Sequence, residues 1–146
     1  MSGPGAENPA IYQVLKDVLD RQPEVGSLGF EPDAIQKRYL AAEVDPLRVV
    51  PSSGPKPPRL EVRWKLTPPH DEFRIDYADP NIGFHCGWHR DNDHEAIGAT
   101  HFQYRTNTME TPRREEAVFE AEPPPKLLWE CCDELFEDVI PEYTKE

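Results

Sequence analysis

The hydrophobic period changes twice along the chain, from helical to alternating and back. From Asn8-Pro9 the apolar residues Ile11, Val14, Leu15, Val18 and Leu19 fall at helical spacing. With an Asn cap and a first-turn proline, they predict a short amphipathic helix ending before Pro23. A second helix is expected from Pro32 to Leu40, with Ile35, Tyr39 and Leu40 on its buried face. From Arg59 the period is two: Leu60, Val62, Trp64 and Leu66 alternate with Arg59, Glu61, Arg63 and Lys65. That is the signature of a half-buried strand. Beyond the turn residues Thr67 to Asp71, Phe73, Ile75 and Tyr77 alternate with Arg74 and Asp76. Past Asp79-Pro80-Asn81, the residues Ile82, Phe84, Cys86 and Trp88 alternate with Gly83, His85, Gly87 and His89. A fourth strand carries Phe102 and Tyr104 against His101, Gln103 and Arg105, and a weaker fifth is expected over Ala117 to Ala121. Pro123-Pro124-Pro125 opens a final helix with the stripe Leu128, Cys131, Cys132, Leu135, Phe136, Val139 and Ile140.

These elements predict an α+β fold: a four- to five-stranded antiparallel sheet packed by a C-terminal helix, with an N-terminal helix beside it. Residues 45–58 hold five prolines with Ser52, Ser53 and Gly54, the composition of an extended connector. The expected division is therefore 1–58, a helical segment with a Pro-rich connector, and 59–146, the compact sheet and helix. Residues 1–8 read as a disordered lead. Seventeen prolines in 146 residues argue against a helical bundle. No apolar run reaches the ~18 residues of a membrane span, and no basic, then apolar, leader opens the chain, so a cytoplasmic protein is expected.

Charge adds a further constraint. Twenty-eight carboxylates against sixteen basic residues leave −12, and arginine outnumbers lysine ten to six. Such a surface suits a halophile, because multimolar salt screens its self-repulsion. It offers no general footprint for nucleic acid, so a nucleic-acid partner would have to be held locally. Cys86 and the adjacent Cys131 and Cys132 have neither metal-ligand nor disulfide-framework spacing and read as buried thiols. Trp64, Trp88 and Trp129 read as core aromatics, and Arg113 to Glu116 as a solvated charge run.

Four of the five histidines lie between residues 85 and 101. If strands 82–89 and 100–105 form a hairpin, one register sets His89 opposite His101, Gly87 opposite Gln103 and His85 opposite Arg105, all on one face. The connecting segment Arg90 to Ala99 adds Arg90, Asp91, Asn92, Asp93 and His94. This set suits metal-independent RNA cleavage, with one imidazole taking the 2′-hydroxyl proton, another protonating the leaving 5′-oxygen, and Arg90 or Arg105 stabilising the phosphorane. The same His89, Asp91, Asp93, His94 and His101 offer nitrogen and oxygen ligands to Zn²⁺ or Mn²⁺, without any fixed ligand spacing. A third reading has the histidines simply hydrogen-bonded to loop carboxylates.

The string Phe84-His85-Cys86-Gly87-Trp88-His89-Arg90-Asp91-Asn92-Asp93-His94, followed by His101-Phe102-Gln103, resembles the central segment of TumE-like proteins, small toxin components of toxin–antitoxin pairs. The resemblance spans roughly residues 59–140, and the acidic surface is similar to that of haloarchaeal relatives of the group. It implies action on RNA without a cofactor and a helix-turn-helix antitoxin as partner. It points to Arg90, Asp91, Asn92, His94 and His101 as the functional turn, with His89 and Gln103 beside it. The expected catalytic set is thus His89, Arg90, Asp91, His94 and His101, with Asn92, Gln103 and Arg105 binding substrate. The N-terminal segment is then expected to serve dimerisation or antitoxin docking. The competing reading is a non-enzymatic interaction protein of a halophile.

Overall fold

A computed structural model describes residues 9–31, 39–49, 52–66, 71–90, 100–117, 119 and 123–144. Helix α1 (Pro9–Asp20) is followed by seven strands: β1 (Val25–Glu31), β2 (Tyr39–Val44), β3 (Arg59–Lys65), β4 (Glu72–Asp79), β5 (Phe84–Arg90), β6 (Thr100–Arg105) and β7 (Arg113–Ala117). The C-terminal helical segment consists of α2 (Pro124–Glu134), a π turn (Leu135–Val139) and α3 (Ile140–Thr144). The strands form one sheet in chain order, every neighbouring pair antiparallel. The architecture is α+β as expected, but with seven strands rather than four or five.

The two additional strands lie before the Pro-rich connector: β1 falls between the two expected helices, where no element was read, and β2 starts within the second. Tyr39 and Leu40, expected on a second helix, open β2, while residues 32–38 of that helix lie outside the described residues. β2 pairs with β3 through Leu40 and Val62, so the sheet continues across the Pro-rich connector. That connector is docked to the β4–β5 turn. Asn81 donates from Nδ2 to the Lys56 carbonyl (2.7 Å) and accepts from the Lys56 amide at Oδ1 (2.9 Å). Ser53 donates to the Asp79 carboxylate, which also accepts from the Asn81 amide (2.9 Å). Asp79 is buried, and these donors satisfy a charge that would otherwise be expensive to desolvate. A Cβ at Gly54 would stand 2.6 Å from Asn81 Oδ1, so the close approach requires glycine.

Alternation assigns the core to one sheet face. Leu40, Leu60, Val62, Trp64, Phe73, Ile75, Phe84 and Trp88 are buried there with Leu15 and Leu19 of α1 and Leu127, Leu128 and Leu135 of the C-terminal segment. Trp64 stacks on Phe73 (centroids 4.6 Å apart), and Tyr143 of α3 packs against both Phe84 (5.3 Å) and Tyr104 (4.7 Å). Cys131 and Cys132 are core residues as expected, and burial raises both thiols, Cys132 to about 12. Trp129, expected in the core, is 40% exposed instead, because the buried stripe turns through Leu127 and Leu128. The π turn resets that stripe, so Val139 and Ile140 are both buried, and Pro141, which has no N–H to donate, follows it. The last strand among the described residues spans Arg113–Ala117; of the expected strand 117–121, residues 118, 120 and 121 lie outside the described residues. Its Arg-Arg-Glu-Glu run suits a sheet edge, where charge discourages pairing with another chain.

Two interactions set local stability. Beyond the last β2–β3 pair, the Tyr12 hydroxyl donates to the Trp64 carbonyl (3.1 Å) and accepts from the Trp64 amide (2.9 Å), filling a ladder position that no β2 residue occupies. Tyr12→Phe is expected to destabilise the fold by about 1–3 kcal/mol, the range for buried polar groups left without partners, measured by denaturant unfolding. On the C-terminal segment, Glu134 lies four residues from both Glu130 and Asp138. Partial burial, then the charges of Asp138 and Glu130, raise its pKa above the ordinary 4.5. A raised carboxyl contributes stability below its unfolded value and loses it as pH rises through the folded one. Glu134→Gln is therefore expected to be more stable than wild type at pH 7 in low salt, with the difference vanishing below about pH 4.5. Unfolding curves at the two pH values check this, and an unchanged gap would refute it.

Candidate functional site

The second sheet face carries no helix among the described residues. Its side chains follow from the register. One row across the strands reads Glu61, Asp76, Gly87, Gln103 and Arg114; the next reads Arg63, Arg74, His89, His101 and Glu116; on the other side lie Arg59, Ala78, His85 and Arg105. The expected β5–β6 register is the observed one, with His89 opposite His101, Gly87 opposite Gln103 and His85 opposite Arg105. Between the rows lies a concavity of about 410 Å³ lined by Arg59, Asp76, His85, Gly87, His89 and Arg105 among others.

At its centre Asp76 Oδ1 and His89 Nε2 are 2.6 Å apart, a charge-assisted contact between adjacent strands. Gly87 makes the contact feasible. A Cβ there would stand 2.5 Å from Asp76 Oδ1, 2.7 Å from the Ile75 carbonyl oxygen and 3.0 Å from His89 Nε2. The pair thus lies diagonally over a glycine, in space that any side chain would fill. The His89 side chain is only 15% exposed, and its Nδ1 faces the Arg74 guanidinium at 3.5 Å. At the far end, Arg105 donates from Nε to the Met109 carbonyl (3.1 Å), and Arg114 donates to Gln103 Oε1 (3.3 Å). Arg59 and Arg63 flank Glu61, at 2.6 and 3.1 Å, and burial apart, these contacts hold the Arg59 guanidinium above its ordinary value.

Of the expected catalytic residues, the sheet brings His89 and His101 together on this face, along with the expected binding residues Gln103 and Arg105. Arg90 is not with them. Alternation sends it to the core face, where it is buried, donates from Nε to the Asp71 carbonyl (2.9 Å) and lies 5.0 Å over the Phe73 ring. Its placement ties the end of β5 to the start of β4. Asp91, Asn92 and His94 lie outside the described residues. Among the described residues, no three His, Cys, Asp or Glu side chains are grouped to hold a metal ion. The contact of Asp76 with His89 over Gly87, and the place of Arg74, were not legible from the β5–β6 hairpin alone. The turn Asp79-Pro80-Asn81 was the signal that would have set β4 against β5 and brought them in.

Charge is unevenly divided between the two sides. On the open face six cations (Arg59, Arg63, Lys65, Arg74, Arg105, Arg114) meet six carboxylates (Glu31, Glu43, Glu61, Glu72, Asp76, Glu116). The C-terminal segment from Pro124 to Thr144 carries six carboxylates and one lysine. In a chain of net charge −12, the open face is thus close to neutral before its histidines are counted. No helix among the described residues is long and apolar enough to cross a membrane.

Comparison with family models, with curated proteins and with solved structures finds no match.

Gly87→Ala is expected to destabilise the fold by about 1–3 kcal/mol, the range for overpacking, and to break the Asp76–His89 contact. Thermal unfolding reads the first effect and the NMR shifts of the His89 ring the second. Wild-type stability with unmoved ring shifts would show that the contact does not need the glycine.

Proposed function

We propose that the chain is a metal-independent ribonuclease of the TumE-like toxin type, acting through His89 and His101. The observation that carries this reading is a pair of imidazoles on adjacent strands, one of them fixed by a carboxylate, beside a concavity with arginine on its walls. With Asp76 accepting from Nε2–H, the lone pair of His89 stays on Nδ1, the tautomer a general base requires. Nδ1 takes the proton of a ribose 2′-hydroxyl, and the 2′-oxygen attacks the adjacent phosphorus. The bond from phosphorus to the 5′-oxygen breaks, and His101 delivers a proton to that oxygen, leaving a 2′,3′-cyclic phosphate and a free 5′-hydroxyl. Arg105 opposes the charge that gathers on the phosphoryl oxygens. In this reading the protein acts in the cytoplasm, and a helix-turn-helix antitoxin is the partner that masks the open face.

Purified wild type, with a chelator present, is expected to convert RNA to cyclic-phosphate ends and to leave 2′-O-methyl RNA intact. His89→Ala and His101→Ala should each lose about 10²–10⁴-fold in rate, the usual range for a general acid or base. Asp76→Asn should lower the rate while leaving the protein folded. Folded wild type that leaves RNA whole in vitro and, on induced expression, leaves growth and total RNA unchanged would overturn the reading in favour of an interaction protein.

A further inference from the structure

Arg63 and Arg74 stand directly opposite each other on β3 and β4, an arrangement of like charges that a sheet ordinarily avoids. They differ in how they are held. Arg63 is fixed on two sides, by Glu61 (3.1 Å) and by the Tyr39 ring, over which its guanidinium lies at 3.9 Å. Arg74 is exposed and has no carboxylate partner among the described residues; its contact there is the long one to His89 Nδ1. The same row continues through His89 to His101, so four groups that carry or can carry positive charge follow one another across four strands. At about 4.8 Å per strand spacing, the row is roughly 14 Å long. It runs across the strands to the two imidazoles, beyond which Glu116 stands opposite His101 on β7.

We infer that Arg63 and Arg74 bind the phosphate that flanks the scissile one, so that a single-stranded polyribonucleotide crosses the sheet along this row. The inference rests on the ribonuclease reading and adds to it the direction of the strand and the form of the substrate. An anion between Arg63 and Arg74 removes their mutual repulsion and supplies the anionic partner that Arg74 lacks among the described residues. The concavity of about 410 Å³ lies beside the row and shares His89 with it; it is on the scale of a small-molecule pocket, so it accepts a splayed nucleotide rather than a helix. Both contacts are to phosphate, so binding is independent of base sequence.

The test uses the full chain and a short, fluorescently labelled 2′-O-methyl RNA, which lacks the attacking hydroxyl, titrated by anisotropy at several salt concentrations. Each phosphate neutralised on a single strand contributes about 0.7 to the slope of log affinity against log salt. Because the two arginines share one phosphate, the double variant Arg63→Gln, Arg74→Gln is expected to reduce the slope by about that amount and each single variant by part of it, while Arg74→Lys keeps the wild-type slope. Arg48→Gln, which removes a distant exposed arginine paired with Asp45, should leave it unchanged. Circular dichroism confirms that each variant is folded. A slope unaffected by Arg74→Gln and Arg63→Gln overturns the inference, even if wild type cleaves unmodified RNA. An Arg74-dependent slope in a protein that leaves unmodified RNA whole retains the phosphate row and overturns the ribonuclease reading. Absence of binding to the probe overturns the row.

Discussion

The feature on which the rest depends is the fixed register of β4 against β5. Each strand pairs with the next in chain order, so the face assignment of one strand propagates to its neighbours without a crossover to reset it. A slip of one residue between β4 and β5 would turn Asp76 toward the core and Ile75 toward solvent. The turn that prevents this is itself held from outside the hairpin. Asp79 and Asn81 are hydrogen-bonded to Ser53 and Lys56 of the connector, which approaches closely because Gly54 has no side chain. The Pro-rich stretch therefore acts as a clamp on the turn, and the placement of Asp76 beside His89 follows from it.

Fixed register explains how one face serves the core and the other remains available for chemistry. The core face gathers the large side chains under α1 and the C-terminal segment, and two of its buried polar residues have assigned roles: Asp79 closes the turn and Arg90 ties β5 to β4. The open face carries short, polar or charged groups, with a gap at Gly87. That gap allows a carboxylate on β4 to reach an imidazole two residues along β5, a diagonal contact rather than the directly opposite one a sheet ordinarily favours.

How much of this was legible depended on how far local pattern agreed with tertiary context. From β3 to β6 the alternation is strict and the strands were read directly, including the β5–β6 register that joins His89 to His101. β1 was missed because Val-Gly-Ser-Leu-Gly-Phe-Glu interrupts its apolar positions with two glycines and a serine. β2 was missed because Tyr-Leu-Ala-Ala-Glu-Val contains good helix formers, and pairing with β3 overrides that weak preference. The edge strand β7 lacks an apolar face to read. In the site, Arg90 was grouped with His89 by nearness along the chain, whereas alternation separates consecutive residues onto opposite faces. Asp76 was missed for the converse reason: thirteen positions separate it from His89, yet it is a close neighbour on the adjacent strand.

The same geometry changes what the net charge means. A uniformly acidic protein repels a polyanion from every direction, but here carboxylates crowd the C-terminal segment while the open face holds equal numbers of cations and carboxylates. With the Debye length near 8 Å at physiological ionic strength, charges across the molecule are largely screened from a ligand on the open face, and only its local balance is felt. There the carboxylates are not all equivalent. Glu61 lies between Arg59 and Arg63 and Asp76 is engaged by His89, so both are already partnered. Arg74 and Arg105 meet no carboxylate among the described residues. What faces an approaching anion is therefore more positive than a count of residues implies. Under the proposed reading, this local balance is what lets a phosphodiester approach Arg63 and Arg74 in a chain of net charge −12.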